Sequence, residues 1–241
     1  MDSDRVSGSS GASLALYGDG VWPVRVDLVA AHQDWLGHVA APGTWFSGEQ
    51  RVAFIAALWA AIDDPTPLPP WEAPAPPTGS ALPAAAHGIA YRLGRYASTT
   101  TRGWYERSVA ELAMGAPAFV ELVALAAAGC AVGSFGPALG WARPVLPEAQ
   151  PGQPSRDCPP LVDATMNWVP VTAPADADPA VVQAFTAVPA EYDMLWRLAA
   201  AQYIPLEEMV HLGWKRPESS LQRRQVELVA ARLSMVRECF Y

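Results

Sequence analysis

The chain has 241 residues, 51% of them hydrophobic and 17% charged, which is long enough to bury a core and too apolar for a disordered protein. A formal net charge of −8, with Lys215 as the one lysine and no basic cluster, argues against nucleic acid or an anionic membrane as partner. Cys130, Cys158 and Cys239 are an odd number at wide spacing, which gives neither a disulfide framework nor a zinc ribbon and fits a reducing compartment.

In chain order, residues 1–20 are rich in Ser, Gly and Asp and have neither a basic n-region nor an apolar h-region, so they read as a flexible start to a cytoplasmic protein. A first helix is expected over 27–39. Ser47 with Gln50 three residues on makes a capping-box pattern, and 52–62 then runs apolar at helical spacing until Asp63, Asp64 and Pro65 stop it. Prolines are too dense over 65–83 for a helix, so this is a strap. Helices are expected over 84–96, 104–114 and 117–132, the last with Pro117 in its first turn, after which Gly133, Gly136, Pro137 and Gly140 break the pattern. Residues 122–142 are uncharged over roughly the length of a membrane span, but Ala and Gly supply much of the run and Pro137 interrupts it. A buried helix is the better reading.

A connector over 143–178, proline-rich from 144 to 160, separates an N-terminal helical half, 21–142, from a C-terminal one, 179–241. In the second half helices are expected over 179–187, 191–202, 206–212 and from 221 onward. No stretch alternates with period two, so no strands are expected, and the fold class is all-α. The halves share short echoes. Val120-Glu121-Leu122-Val123-Ala124 recurs as Val226-Glu227-Leu228-Val229-Ala230, and Tyr91-Arg92-Leu93 is echoed by Trp196-Arg197-Leu198. In an Ala- and Val-rich chain this is either a duplicated helical unit or coincidence.

The closing stretch carries the chemistry. Ser219 and Gln222 form a second capping-box pattern, and Val226, Val229, Leu233, Val236 and Phe240 fall on one helical stripe. Within it stand Glu227 and, twelve residues on, Cys239, followed by the aromatic pair Phe240 and Tyr241. This pattern resembles the active-site motif of the alkylhydroperoxidase D and carboxymuconolactone decarboxylase superfamily. There the spacing continues with a second cysteine, or occasionally selenocysteine, and a histidine four residues later. The resemblance covers this segment well and the rest of the chain as a general helical layout.

The resemblance implies a helical bundle of the alkylhydroperoxidase D-like type, which a duplication would make two degenerate repeats, and an antioxidant thiol or selenol peroxidase that reduces organic hydroperoxides. Glu227 would be the proton-relay carboxylate and Cys239 the first cysteine of the CxxC pair, resolving an oxidised nucleophile as a disulfide or selenenylsulfide. The second thiol would follow Tyr241, so the 241 residues lack the attacking nucleophile and its histidine and are expected to be inactive by themselves. A selenocysteine codon read as a stop would account for that. A hydroperoxide and a thiol reductant are the implied partners, and no cofactor is implied. If the chain is duplicated, the first-half counterpart of Glu227 is Glu121, with Gly133, Gly136 and Gly140 in place of the two thiols and the histidine.

Physical chemistry sets a condition on that reading. On one straight helix Glu227 and Cys239 lie about 18 Å apart at ~1.5 Å per residue, beyond proton transfer, so the helix must turn near 236–238 and Cys239 must open a new one. A helix N-terminus there would favour the thiolate. Burial among apolar neighbours would raise the Glu227 pKa. The plainer alternatives are an ordinary cysteine near a frayed end and a surface ion pair of Glu227 with Arg223 or Arg224. On the same scaffold a non-catalytic binding or assembly protein is the rival function. Cys130 is expected in the core and Cys158 exposed. His32, His38, His87 and His211 show no metal-ligand spacing, so no metal is expected. The apolar stripe of the last helix is expected to lie open until another chain covers it, which implies a homo-oligomer.

Overall fold

The computed structural model describes residues 16–17, 22–67, 72–163, 166–172, 180–217, 219–237 and 239. Among these it is mostly helical: α1 Val26–Ala40, α2 Gly48–Asp63, α3 Ala84–Tyr96, α4 Arg102–Leu112, α5 Ala116–Ala138, α6 Ala180–Gln183, α7 Pro189–Gln202 and α8 Arg223–Val236. Single 3-10 turns stand at Ala97–Thr99 and Leu206–Glu208. The all-α class holds with one exception. Leu161–Val162 (β1) and Val171–Thr172 (β2) pair antiparallel, Leu161 opposite Thr172 and Val162 opposite Val171. Two residues per strand are too few to show an alternating pattern in sequence, which is why no strand was expected.

The helix starts follow local chemistry. Ser47 accepts from the Gln50 amide while the Gln50 side chain accepts from the Ser47 amide, closing the expected capping box at α2. At α8 the box forms one turn later than expected, between Gln222 and Gln225. Ser219 Oγ instead accepts from the Leu221 amide in a local turn, a competing use open to any serine. The expected helix over 206–212 is only the Leu206–Glu208 turn, and 179–187 contributes one helical turn, Ala180–Gln183, with residues 173–179 outside the described ones.

Helix α5 sits at the centre and packs on α2, α3, α4 and α7; α1 closes the bundle against α2 and α7. Trp35, Phe46, Phe54, Ile55, Leu58, Ile89, Leu122, Leu125 and Leu198 are fully or almost fully buried between these elements. α5 is long and apolar enough to span a bilayer, but two-thirds of its most apolar stretch, 67%, is buried by the other helices. It is a core helix, and it does not end where its glycines suggested. It continues through Gly133 and Gly136 to Ala138 because these glycines serve close approach: a Cβ on Gly129 would lie 2.8 Å from Ile55 Cδ1, and on Gly133 2.2 Å from Trp59 Nε1. Pro137 cannot bond the Gly133 carbonyl one turn back, and the Arg143 Nε donates to that carbonyl at 2.9 Å instead.

The 144–160 connector forms no helix or strand. Its backbone is tied to the α1–α2 loop, the amides of Gln150, Ser155 and Arg156 bonding to the carbonyls of Ala40, Gly43 and Thr44 at 2.8 to 3.0 Å.

Two glycine substitutions separate helix propensity from packing. Gly133→Ala should displace the Trp59 indole and its bond to the Gly129 carbonyl, costing about 1–3 kcal/mol despite the better helix former. Gly88→Ala in α3, where a Cβ meets nothing within 4 Å, should gain up to about 1 kcal/mol. Urea midpoints of the two variants, moving in opposite directions, check this.

Candidate functional site

The two residues picked out by spacing are both on or just beyond α8, and the structure does not bring them together. α8 ends at Val236, Arg237 caps it, and the Cys239 amide turns back to donate to the Ser234 carbonyl at 2.9 Å. The expected break between 236 and 238 is therefore present, and Cys239 is an exposed free thiol. Nine helical residues still separate Glu227 from the break, about 14 Å at ~1.5 Å per residue. A helix opened by Cys239 would begin at residues outside the described ones.

Glu227 is not surrounded by hydrocarbon. Its side chain is 42% exposed; Oε1 accepts from Arg223 Nε at 2.6 Å and Oε2 from the Tyr203 hydroxyl. The Tyr203 hydrogen bond, ahead of the Arg223 contact, holds the carboxyl below its ordinary value, opposite to the increase expected from burial. Tyr203 itself is pushed up to about 12 by desolvation and by donating to an ionised carboxylate. The ion pair anticipated as the plainer alternative is present, with Arg223 and not Arg224 as partner. Tyr203, 24 residues upstream, had no local signal. Cys130 is half-buried and packs against the core, burial pushing its thiol up, and Cys158 is exposed, each as expected.

The strongest concentration of charge lies elsewhere. Arg51 of α2 is fully buried, and its Nη1 donates to Glu121 Oε1 of α5 at 2.8 Å and to Glu191 Oε1 of α7 at 2.6 Å. Its Nη2 donates to the His38 carbonyl of α1 at 3.0 Å. Glu191 Oε1 also meets His38 Nε2 at 2.8 Å, and Glu121 Oε2 accepts from the Trp45 amide at 2.6 Å. Gly43 leaves the room: a Cβ there would stand 2.0 Å from Arg51 Nη1. Both carboxylates are sealed, and His38, 17% exposed, is the member nearest solvent.

One guanidinium cannot compensate two carboxylates equally. Desolvation pushes Glu121 up to about 7 against the pull of Arg51, whereas Glu191 is desolvated too but held low by Arg51 and His38. The asymmetry follows the donors, since Glu191 faces two side-chain partners and Glu121 one side chain and one amide. With its pKa pushed up to about 7, Glu121 carries a proton part of the time near neutrality. The centre among these acids and His38 is filled by a guanidinium, which leaves no place for a metal ion; among the described residues no other group of His, Cys, Asp and Glu offers a metal site.

Sequence reasoning passed over Arg51, Glu191 and His38, yet a signal existed. Arg51 occupies the register of the apolar stripe completed by Phe54, Ile55 and Leu58, and Glu191 that of Met194, Leu198 and Ala201. A charge inside a buried stripe announces a buried partner. Compared with protein-family models, with curated proteins and with solved structures, the chain matches none.

Removing the cation alone should be severe: Arg51→Met strands two buried acids and should cost about 3–5 kcal/mol in urea unfolding. Acid-base linkage gives a second check. Because the folded pKa of Glu121 is raised, the native state keeps a proton between about pH 4.5 and 7 that the unfolded chain has released, so stability contributed by this group falls as pH rises through that window. Relative to Glu121→Gln, the native protein should lose about 1–3 kcal/mol between pH 5 and 7.5. Glu191, held low, contributes in the opposite sense, its share being lost only on acidification below the ordinary carboxylate range.

Proposed function

We propose that the chain is the scaffold of an alkylhydroperoxidase D-like thiol or selenol peroxidase acting on organic hydroperoxides, with Cys239 as the resolving thiol and Glu227 as the carboxylate that accepts and returns the proton. The observation that carries this reading is the end of α8 at Val236, which turns the chain so that Cys239 stands exposed beyond a helix bearing Glu227. The order of elements is consistent with the two-repeat layout. α7 starts 105 residues after α3, α8 starts 107 after α5, and Glu227 stands 106 after Glu121.

In this reading the nucleophile stands three residues beyond Cys239. Its thiolate or selenolate attacks the hydroperoxide, the O–O bond breaks, the alcohol leaves with a proton, and the nucleophile becomes a sulfenic or selenenic acid. The Cys239 thiolate then attacks that atom, expelling water and forming an S–S or Se–S bond, and a thiol reductant returns the two electrons. In this role Glu227 would accept the proton while hydrogen-bonded by Tyr203, which makes Tyr203 its positioning partner, although that hydrogen bond also weakens the carboxylate as a base.

A chain extended after Tyr241 by a cysteine, three residues and a histidine tests the assignment. It should reduce cumene hydroperoxide with dithiol as electron source, lose this with Cys239→Ser, and fall about 10²-fold with Glu227→Gln. The 241-residue chain should turn over no faster than its Cys239→Ser variant. An extended chain with no activity above the unextended one overturns the proposal.

A second reading, a non-catalytic assembly protein, is favoured by one observation: Leu228 and Met235 are 71% and 62% exposed on the outer side of α8. Association through that side, retained when Cys239 is replaced, would support it.

A further inference from the structure

Beside the outer side of α8, its inner side faces a cleft of about 500 Å³ shared with residues 202–216 and the Arg25 side chain. That volume lies in the range of small-molecule sites. One wall is hydrocarbon, from Leu221, Val226, Val229, Ala230 and Leu233, and Trp214 also lines the cleft. Val229 and Leu233 are 65% and 60% exposed, so among the described residues nothing covers the wall.

The rim has the opposite chemistry. Arg25, Lys215, Arg216 and Arg223 line it, and no acidic side chain does among the described residues. Asp27 and Glu227, just outside, compensate part of this: Arg25 and Arg216 bind Asp27, and Arg223 binds Glu227. The three guanidiniums are also anchored to backbone, Arg25 to the Ala201 carbonyl, Arg216 to those of Ala200 and Tyr203, and Arg223 to those of Glu208 and Met209. Lys215 has no ion pair or hydrogen bond among the described residues, and its side chain is exposed at the rim. In a chain of net charge −8, the only lysine and three of its arginines therefore gather around one apolar cleft, four positive charges against two negative ones among the described residues.

We propose that this cleft binds a small amphiphilic carboxylate, its head group on the Lys215 ammonium and its alkyl chain along Val226, Val229 and Leu233. The free ammonium supplies a charge-assisted hydrogen bond at a site whose guanidiniums are already committed, and the apolar chain removes from water the hydrocarbon that the fold leaves bare. The positive rim favours an anion over a neutral or cationic amphiphile by attraction at the mouth. This assignment does not depend on the peroxidase reading, because neither Cys239 nor proton transfer takes part in it.

Dodecanoate below its micellar concentration, titrated calorimetrically into the 241-residue chain, tests the proposal, with dodecyltrimethylammonium and acetate as controls. Saturable binding of dodecanoate is expected, with weak or no binding of either control. Lys215→Gln, at an exposed position, should weaken it roughly tenfold or more, and Leu233→Asp should abolish it. Circular dichroism shows whether either variant remains folded, and a replacement of Val229 by Ser is the milder second probe of the wall. Equal binding of the cationic amphiphile, an unchanged affinity in Lys215→Gln, or no binding of dodecanoate overturns the assignment. So does sedimentation showing that Leu233→Asp splits an oligomer whose native form ignores dodecanoate, since a second copy would then be the occupant.

Discussion

The Arg51 guanidinium is the fixed point of this fold. It joins four helices: α2 carries it, α5 and α7, distant in sequence, supply its carboxylates, and the last turns of the neighbouring α1 supply a carbonyl and His38. None of these groups tolerates burial alone. A carboxylate or guanidinium in hydrocarbon without a partner costs several kcal/mol, so the arrangement that satisfies all of them at once excludes most alternative registers of the bundle. Buried ion pairs add little net stability over hydrophobic replacements, and the value of this one lies in specifying which way α5 and α7 face.

The packing around it follows from that requirement. Gly43 must lack a Cβ for the α1–α2 loop to pass over the guanidinium, and the Trp45 amide, two residues on, then points at Glu121. The connector over 144–160 closes the same loop from outside by backbone hydrogen bonds, which explains why a segment without helix or strand is held in place. Farther along α5, glycines let Trp59 and the chain after the helix approach the backbone. Arg143 then bonds the carbonyl that Pro137 leaves free.

Much of the helical layout was legible because its signals are local. The Ser47–Gln50 box, the 84–96 helix and the helix-free proline-rich stretch over 144–160 each rest on a few neighbouring residues. What sequence reading missed is long-range. The helix α5 overran its glycines because their meaning, breaker or contact point, depends on Trp59 seventy residues earlier. Two-residue strands leave no periodic trace. In the candidate site, the break after Val236 could be inferred from the distance between Glu227 and Cys239, whereas the partner that sets the charge of Glu227 could not, since Tyr203 lies in another element. The buried cluster was half-legible: Arg51 and Glu191 stand in apolar registers, but which acid meets which base is a property of the tertiary fold alone.

Glu121 and Glu227 sit in the same five-residue context and behave oppositely, which isolates what environment does. Around Glu121 the bundle excludes water, a second carboxylate stands on the same guanidinium, and the acid is pushed up to about 7. Around Glu227 no residue of α8 is buried, water and a phenol hydroxyl reach the oxygens, and the acid is held low. A carboxylate held low is a poor proton acceptor near neutral pH, and its protonated form is scarce there. For Glu227 to shuttle protons efficiently, something must cover α8, remove water from that carboxyl and loosen its hold on Arg223. The bare hydrocarbon along α8 supplies the driving force for such a covering, so the surface left open and the carboxylate left ionised are two consequences of one cause: among the described residues this helix, unlike α5, has no other layer packed on it.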